Sequence, residues 1–570
     1  MTLAPAPSSQ TIEPPLAARR RVLGGSSSNM NRSFIPYDEA APLLERRYSS
    51  YDATPSSLSG SPQGSGTPAL PSSTSVQQSP HCCTVFCTIL SISSSIFMCW
   101  IALYASMGWN YQQHGWTPET IPEVRTNCLG AAAIGGFLPV NIATSFSRLG
   151  KLVTRTSPVS NPELVRQTLY QHCKGQTFTP REISTICHGL VQSGLDSKIP
   201  PFVSFDASLP WDKFSAQDLT LTVWAFAKLG QADLGLFSTV QNELLRRDLR
   251  TLTPMQLANI CWSFANLWAG EQSNLFSPLF AKIGSEVADG RPDLSPFSEQ
   301  DVSTLLQSFA KMGFKHIELF DCMEQEVVNK RSLNTFTAQG ISTTLWSFAA
   351  LGINCPLLLD KTSHHLQHTR VARDVEPLAV SQILWSFTAL GRHDPTLFAF
   401  LLQLVQRNRD QLSPRLLIRI LHSVAKQQSM GEYEEFTRRV AVRLSNVLDN
   451  GQQHGLTSHD FATLLWSLTA CAHYDSVLFH KLAKQINLKQ LDSQDVSNIF
   501  WSFATTRHQS SNSFCLQMAE EIVAEGLQGF SFQSICNLCW SFAQLGLLTQ
   551  PIVQQFFQLA LPKQVEPQYF

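Results

Sequence analysis

Apolar residues in this chain recur every three or four positions within short stretches. The stretches themselves recur about every 39 residues between Ile183 and Leu545. The clearest is Leu257-Ala258-Asn259-Ile260-Cys261-Trp262-Ser263-Phe264-Ala265, with relatives at Ile341 through Ala349, Val496 through Ala504 and Ile535 through Ala543. Taking the Trp as an anchor, the ten copies centre on His188, Trp224, Trp262, Gln307, Trp346, Trp385, His422, Trp466, Trp501 and Trp540. Their spacings are 36, 38, 45, 39, 39, 37, 44, 35 and 39 residues.

Each copy has the length and period of an amphipathic helix, here called helix A. Gly230, Gly313, Gly352, Gly391 and Gly546 stand six residues past their anchors, where a left-handed cap ends a helix. Asp394-Pro395-Thr396 then opens a second helix, B, and linkers such as Leu252-Thr253-Pro254 and Leu412-Ser413-Pro414 restart helix A. The expected fold is all-α, an α-solenoid of about ten helix-turn-helix repeats over residues 163–570.

Helical geometry sorts helix A by offset from the anchor. Offsets −5, −2, −1, +2 and +5 share one apolar face, Leu257, Ile260, Cys261, Phe264 and Leu267 in the third copy. Offsets −4 and +3 hold small residues such as Ser303 and Ala310, which let neighbouring helices approach. Offsets −7, −6, −3, +1 and +4 form a polar stripe. Offset −3 reads Thr185, Leu221, Asn259, Thr304, Thr343, Gln382, Arg419, Thr463, Asn498 and Asn537. Hydrogen-bonding side chains that change from copy to copy suit base-by-base RNA readout, although solvated or inter-repeat polar positions would look alike. Lys228, Lys311 and Lys426, at +4, are candidate phosphate contacts. The anchor Trp lies between the small and polar strips and is expected to pack between repeats.

Upstream, residues 1–82 are Ser/Pro/Gly-rich and expected to be disordered. They include Glu39-Ala40-Ala41-Pro42-Leu43-Leu44, which matches an acidic dileucine sorting signal. No charged residue occurs between Asp52 and Glu119, and within that stretch residues 83–106 form an uncharged apolar run. It is long enough for a transmembrane helix or a hydrophobic targeting signal, which would bring the membrane in as a partner. Residues 107–162 read as a linker. Its part from 124 to 162 has no acid but carries Arg125, Arg148, Lys151 and Arg155 among hydroxylated residues, as transit peptides do. Leu129 to Phe146 is alternatively a second, weaker membrane segment.

Charge restrains a nucleic-acid reading. The chain has 42 basic and 43 acidic residues, of which residues 1–162 hold 10 and 7, leaving the repeat region at 32 − 36 = −4. Any RNA contact must therefore use a local basic stripe. The fourteen cysteines form no disulfide pattern, and Cys536 and Cys539 replace apolar residues of the phrase. No phosphate loop, H-E-x-x-H or G-x-S-x-G motif is present. His364, His365 and His368 lack companion ligands, while Lys361, Arg370 and Arg373 beside them make a basic patch. No catalytic residue, metal site or cofactor is expected.

The repeated phrase, its period and the following Leu-Gly strongly resemble the octotricopeptide repeats of algal organelle proteins, and the heptatricopeptide and FAST-kinase-like repeats look similar. The resemblance covers about residues 163–560. It implies an α-solenoid binding single-stranded organellar RNA, typically a chloroplast and alternatively a mitochondrial transcript, to support translation, stability or processing. The base-contacting positions would be Thr185, Asn259, Thr304, Thr343, Gln382, Arg419, Thr463, Asn498 and Asn537. The RAP domain that ends many such proteins is missing. The weak negative charge and the apolar run leave open a membrane-anchored scaffold for protein partners.

Overall fold

A computed structural model describes residues 138–153, 162–196, 198–200, 205, 209–270, 272–289, 293–368, 375–407, 412–427, 433–451, 455–508 and 512–560. The region expected to be disordered and the apolar run at 83–106 lie outside these residues. Among the described residues no helix is long and apolar enough to cross a membrane.

The described residues are helical, joined by turns and short loops. The helices are α1 (Pro139–Val153), α2 (Pro162–Cys173), α3 (Pro180–Ser193), α4 (Ala216–Lys228), α5 (Leu234–Arg246), α6 (Pro254–Trp268) and α7 (Ser277–Ala288). Then follow α8 (Glu299–Lys311), α9 (Ile317–Gln325), α10 (Ala338–Ala350), α11 (Pro356–His368), α12 (Pro377–Ala389), α13 (Pro395–Arg407) and α14 (Pro414–Lys426). The last are α15 (Glu434–Asp449), α16 (Ser458–Ala470), α17 (Ser476–Gln485), α18 (Ser493–Thr506), α19 (Asn512–Glu525), α20 (Phe532–Gln544) and α21 (Pro551–Ala560). All ten anchors fall inside helices: α3, α4, and then every even-numbered helix from α6 to α20. Each of these A helices packs on the next along the whole series. The B helices also meet in register, as α5 with α7, α11 with α13 and α15 with α17, but touch less extensively. The architecture is an α-solenoid.

Local chemistry sets the boundaries. Thr179, Ser215, Thr253, Ser298, Thr457 and Asp492 cap A helices in reciprocal boxes with the residue three positions on. At the other end Gly230, Gly313, Gly352, Gly391 and Gly546 take φ from 60 to 72°, the left-handed conformation anticipated for them.

The offset +2 residue is the weld between layers. It is Phe226, Phe264, Phe309, Phe348, Phe387, Phe503 or Phe542 in most repeats, each at most 2% exposed. A Phe from the preceding B helix meets it edge-on, with Phe237–Phe264 at 4.9 Å, Phe280–Phe309 at 5.0 Å and Phe320–Phe348 at 4.9 Å between ring centres. Burying one such ring is worth roughly 2–3 kcal/mol, and the edge-to-face geometry adds about 1. Lysines six residues into some B helices tie the outer layer. Lys282 donates to the carbonyls of Leu244, Leu245 and Arg247, and Lys361 to those of Val327, Val328 and Arg331. Through these bonds Lys361 holds a helix end, and burial lowers its pKa; Arg370 and Arg373, the other members of the expected basic patch, lie outside the described residues.

Two departures from the expected organisation stand out. Between α3 and α4 the described residues contain a single 3-10 turn, Trp211–Lys213, where helix B was expected. Pro200, Pro201 and Pro210 interrupt that stretch, and Phe205 packs instead on Phe226 at 5.1 Å.

The second departure is α1, which lies within the residues expected to form a transit-like linker or a membrane segment. It packs on α3 as one A helix packs on another. Its sequence Asn141-Ile142-Ala143-Thr144-Ser145-Phe146 aligns with Asn259-Ile260-Cys261-Trp262-Ser263-Phe264, with Thr144 in the anchor place. Ile142, Ala143, Phe146 and Leu149 share a core with Leu169 and Cys173 of α2 and with Ile186 and Leu190 of α3. The crossing is close: a Cβ on Gly189 would come within 2.5 Å of the Phe146 backbone. Within the acid-poor, hydroxylated stretch 124–162, residues 139–153 thus form a helix packed as an A helix, and the rest of the stretch apart from residues 138 and 162 lies outside the described residues.

Candidate nucleic-acid interface

The polar stripe of helix A resolves into positions with different jobs. Offset +1 is not on the surface. Ser263, Ser308, Ser347, Ser386, Ser423, Ser467, Ser502 and Ser541 are at most 1% exposed. Each hydroxyl donates to the carbonyl of its own offset −3 residue, for example Ser263 to Asn259 at 2.6 Å and Ser541 to Asn537 at 2.7 Å. These serines are small, internally satisfied packing residues. Offset −6 is the third helical residue, and its polarity belongs to the capping boxes: Glu182, Asp218, Gln256, Asp301, Asp460 and Asp495. Three of them also bridge repeats, since Asp218 accepts from Ser184 at 2.7 Å, Asp460 from Arg415 at 3.1 Å and Asp495 from His459 at 2.8 Å.

Offsets −7, −3, 0 and +4 remain, and the structure grades them along the stack. Thr304, Thr343 and Gln382 are buried, at 5, 6 and 8% exposure. Thr304 and Thr343 accept from Gln300 and Gln339 at 3.0 and 3.1 Å. The Gln382 carbonyl accepts from Ser342 of the preceding repeat at 2.8 Å. In these three repeats offset −3 serves packing and local or inter-repeat bonding, the alternative to base readout that the sequence left open. Thr185, Asn259, Arg419, Thr463, Asn498 and Asn537 are half-buried, with Thr185 donating to the Arg181 carbonyl at 2.6 Å. Gln494 and Gln533 donate to the side-chain carbonyls of Asn498 and Asn537 at 3.1 and 3.0 Å, which leaves each asparagine its NH2 group to meet a ligand.

The anchors grade separately: Trp224, Trp262, Gln307 and Trp346 are 4–9% exposed, His188, Trp385, His422, Trp466 and Trp501 are half-buried, and Trp540 is 40% exposed. Neighbouring anchor rings touch, His188–Trp224 at 5.3 Å, His422–Trp466 at 5.2 Å and Trp466–Trp501 at 6.3 Å, as expected for inter-repeat packing. Burial, with repulsion from Lys426 and His459, pushes the His422 pKa down to about 3, so this anchor is neutral. The Lys228 ammonium sits 5.2 Å from the Trp262 ring centre. Lys311 is half-buried; Lys426 reaches solvent, although the atoms packed around it depress its pKa.

One signal was missed when charge was summed over the whole repeat region. Beyond the first turn, the A helices contain no Asp or Glu, yet they carry Arg148, Lys228, Lys311, Arg419 and Lys426. Their few acids sit at the helix starts, mostly as caps. The B helices hold Glu243, Glu286, Glu318, Asp321, Glu324, Asp360, Glu435, Asp449, Glu520 and Glu521. The net negative charge is thus a B-side property, and the A side is locally basic.

Other groupings sit apart from this stripe. His459, Asp492 and Asp495 bring ligand atoms within 4.8 Å of one another, but Asp492 caps the Asp495 N–H and Asp495 accepts from His459. His364 and His368 stack at 4.3 Å, while His365 turns inward. Cys536 and Cys539 are free, half-buried thiols whose pKa burial raises. A cleft of about 530 Å³ between α17 and α19 mixes Lys484 and Lys489 with Glu521 on the B side.

Fold and stripe define a helical-repeat protein of the solenoid class. Residues 209–456 match the family model described as RNA-editing substrate-binding complex 6 protein. Comparison with curated proteins finds no match. Among solved structures, the pentatricopeptide repeat protein PPR10 in complex with an 18-nt psaJ RNA element is similar at 12% identity, covering 79% of this chain and 77% of that one, with a TM-score of 0.25. A cysteine-to-serine variant of the same complex gives the same values. That likeness is too slight to place any residue of this chain.

Proposed function

We propose that the chain binds single-stranded RNA along its A-helix face and acts in organellar post-transcriptional gene expression, supporting the translation, stability or processing of particular transcripts. The observation that carries this reading is the segregation of charge. The face with the variable hydrogen-bonding side chains is also the face cleared of acids and supplied with Lys228, Lys311, Arg419 and Lys426. The match to a family named for an RNA-editing substrate-binding complex supports it, as does the octotricopeptide-like phrase. In this scheme Asn259, Asn498 and Asn537 contact bases and the lysines contact phosphates.

Crosslinking the tagged protein in its own cells and sequencing the attached RNA tests the proposal. Enrichment of a few transcripts is expected, and Asn498→Ala should redistribute reads among them. Thr343→Ala, at a closed position, should change the distribution far less. Recovery of no enriched RNA would refute the reading.

A further inference from the structure

We infer that α1 and α2 serve as a working repeat, and that α1 contacts one further nucleotide at one end of the bound strand. This rests on the RNA-binding reading above and extends its footprint. The register is set by the sequence phrase and by the packing of Phe146 in the core, and the hydrogen bonding agrees with it. Ser145 donates to the Asn141 carbonyl at 2.9 Å, the same bond from offset +1 to offset −3 that the later repeats make. Thr144 then occupies the anchor place, Asn141 offset −3 and Arg148 offset +4.

The chemistry at those places fits the role. Asn141 is half-buried, as Asn259 and Asn498 are, and presents the same amide. Arg148 is exposed where Lys228, Lys311 and Lys426 stand in later repeats. Thr144 is exposed, and its hydroxyl donates to the Val140 carbonyl at 2.7 Å. Phe146 and Leu149, both fully buried, dock the helix on the stack, while the exposed Arg148 stands in the offset +4 place that lysines hold in later repeats. With Thr in place of Trp, α1 offers no aromatic platform, so its contribution is hydrogen bonding and charge.

The test uses the full chain and the RNA segment recovered by crosslinking. Nuclease footprints are compared for wild type, the Asn141→Ala/Arg148→Gln double variant and Lys311→Gln. Circular dichroism melts confirm that the double variant folds, as expected for side chains outside the α1–α3 core. The double variant should bind about tenfold more weakly, the equivalent of about 1.4 kcal/mol. Its protected segment should be shorter by about one nucleotide at one end only. Lys311→Gln should weaken binding without shortening the segment. A double variant with the wild-type footprint and affinity, beside a weakened Lys311→Gln, would overturn this inference and leave the RNA reading standing. Wild-type protein that protects no RNA would overturn both.

Discussion

Neutralising the A-face lysines should flatten the salt dependence of RNA binding by an amount that can be worked out in advance. Arg148, Lys228, Lys311, Arg419 and Lys426 are the cations on the A helices beyond their first turns that face the stripe. Each phosphate contact on a single strand releases condensed counterions, so log affinity falls against log salt with a slope of about −0.7 per contact. Five contacts give about −3.5, roughly a 100-fold loss of affinity between about 50 and 200 mM salt. Replacing Lys228, Lys311 and Lys426 by Gln leaves two contacts, a slope of about −1.4 and a loss of roughly sevenfold over the same range. Fluorescence anisotropy of a labelled target RNA, titrated at a series of salt concentrations, measures both slopes. Lys489→Gln, on the B side, is the control and should leave the slope unchanged. If the triple variant keeps the wild-type slope, the A face is not where phosphates sit. A slope near zero in the wild type would remove the electrostatic basis of the proposal altogether.

Lys361→Met deletes three bonds to the carbonyls of Val327, Val328 and Arg331 and should cost about 2 kcal/mol in urea unfolding, whereas Lys489→Met should stay within about 0.5. His422 is held down to about 3 in the folded chain, so between its ordinary range and that value the unfolded state binds more protons. Stability should therefore fall as pH drops from about 6.5 towards 3, and His422→Gln should make that decline shallower in melts run across the window. Ala472 takes φ 56° at the helix end where other repeats use glycine, so Ala472→Gly should stabilise by about 1 kcal/mol, read as an increased unfolding midpoint.

The A helices were legible because apolar period, capping boxes and glycine stops all agreed at the same places. The first repeat was not, since recognition leaned on Trp and Thr144 replaces it, although Ser145 and Phe146 keep the phrase. That the described residues between α3 and α4 hold only a 3-10 turn accords with Pro200 and Pro210, but a regular period invites a regular unit. A single helical wheel placed offset +1 on the surface because serine is polar. It could not show that the hydroxyl is satisfied by its own helix and then buried by the next one. Nor could it separate Thr343 from Thr463, because the difference in exposure is made by neighbouring repeats.

The distribution of acids follows from what each side of the stack must do. A helix start gains from a carboxylate, which satisfies free N–H groups and faces the positive end of the dipole. Asp218, Asp460 and Asp495 take that place and are 2–8% exposed, so their charge is spent on backbone donors and on Ser184, Arg415 and His459 of the preceding repeats. An acid further along an A helix would have no such partners and would face the stripe. Its absence in every A helix, beside Glu and Asp within most B helices but not α13, α17 or α21, is not required by packing, since the stripe is polar in any case. It is what a surface needs when a polyanion lies along it. The tryptophans set the spacing of that surface, and the side chains three residues before and four after them decide what it can hold.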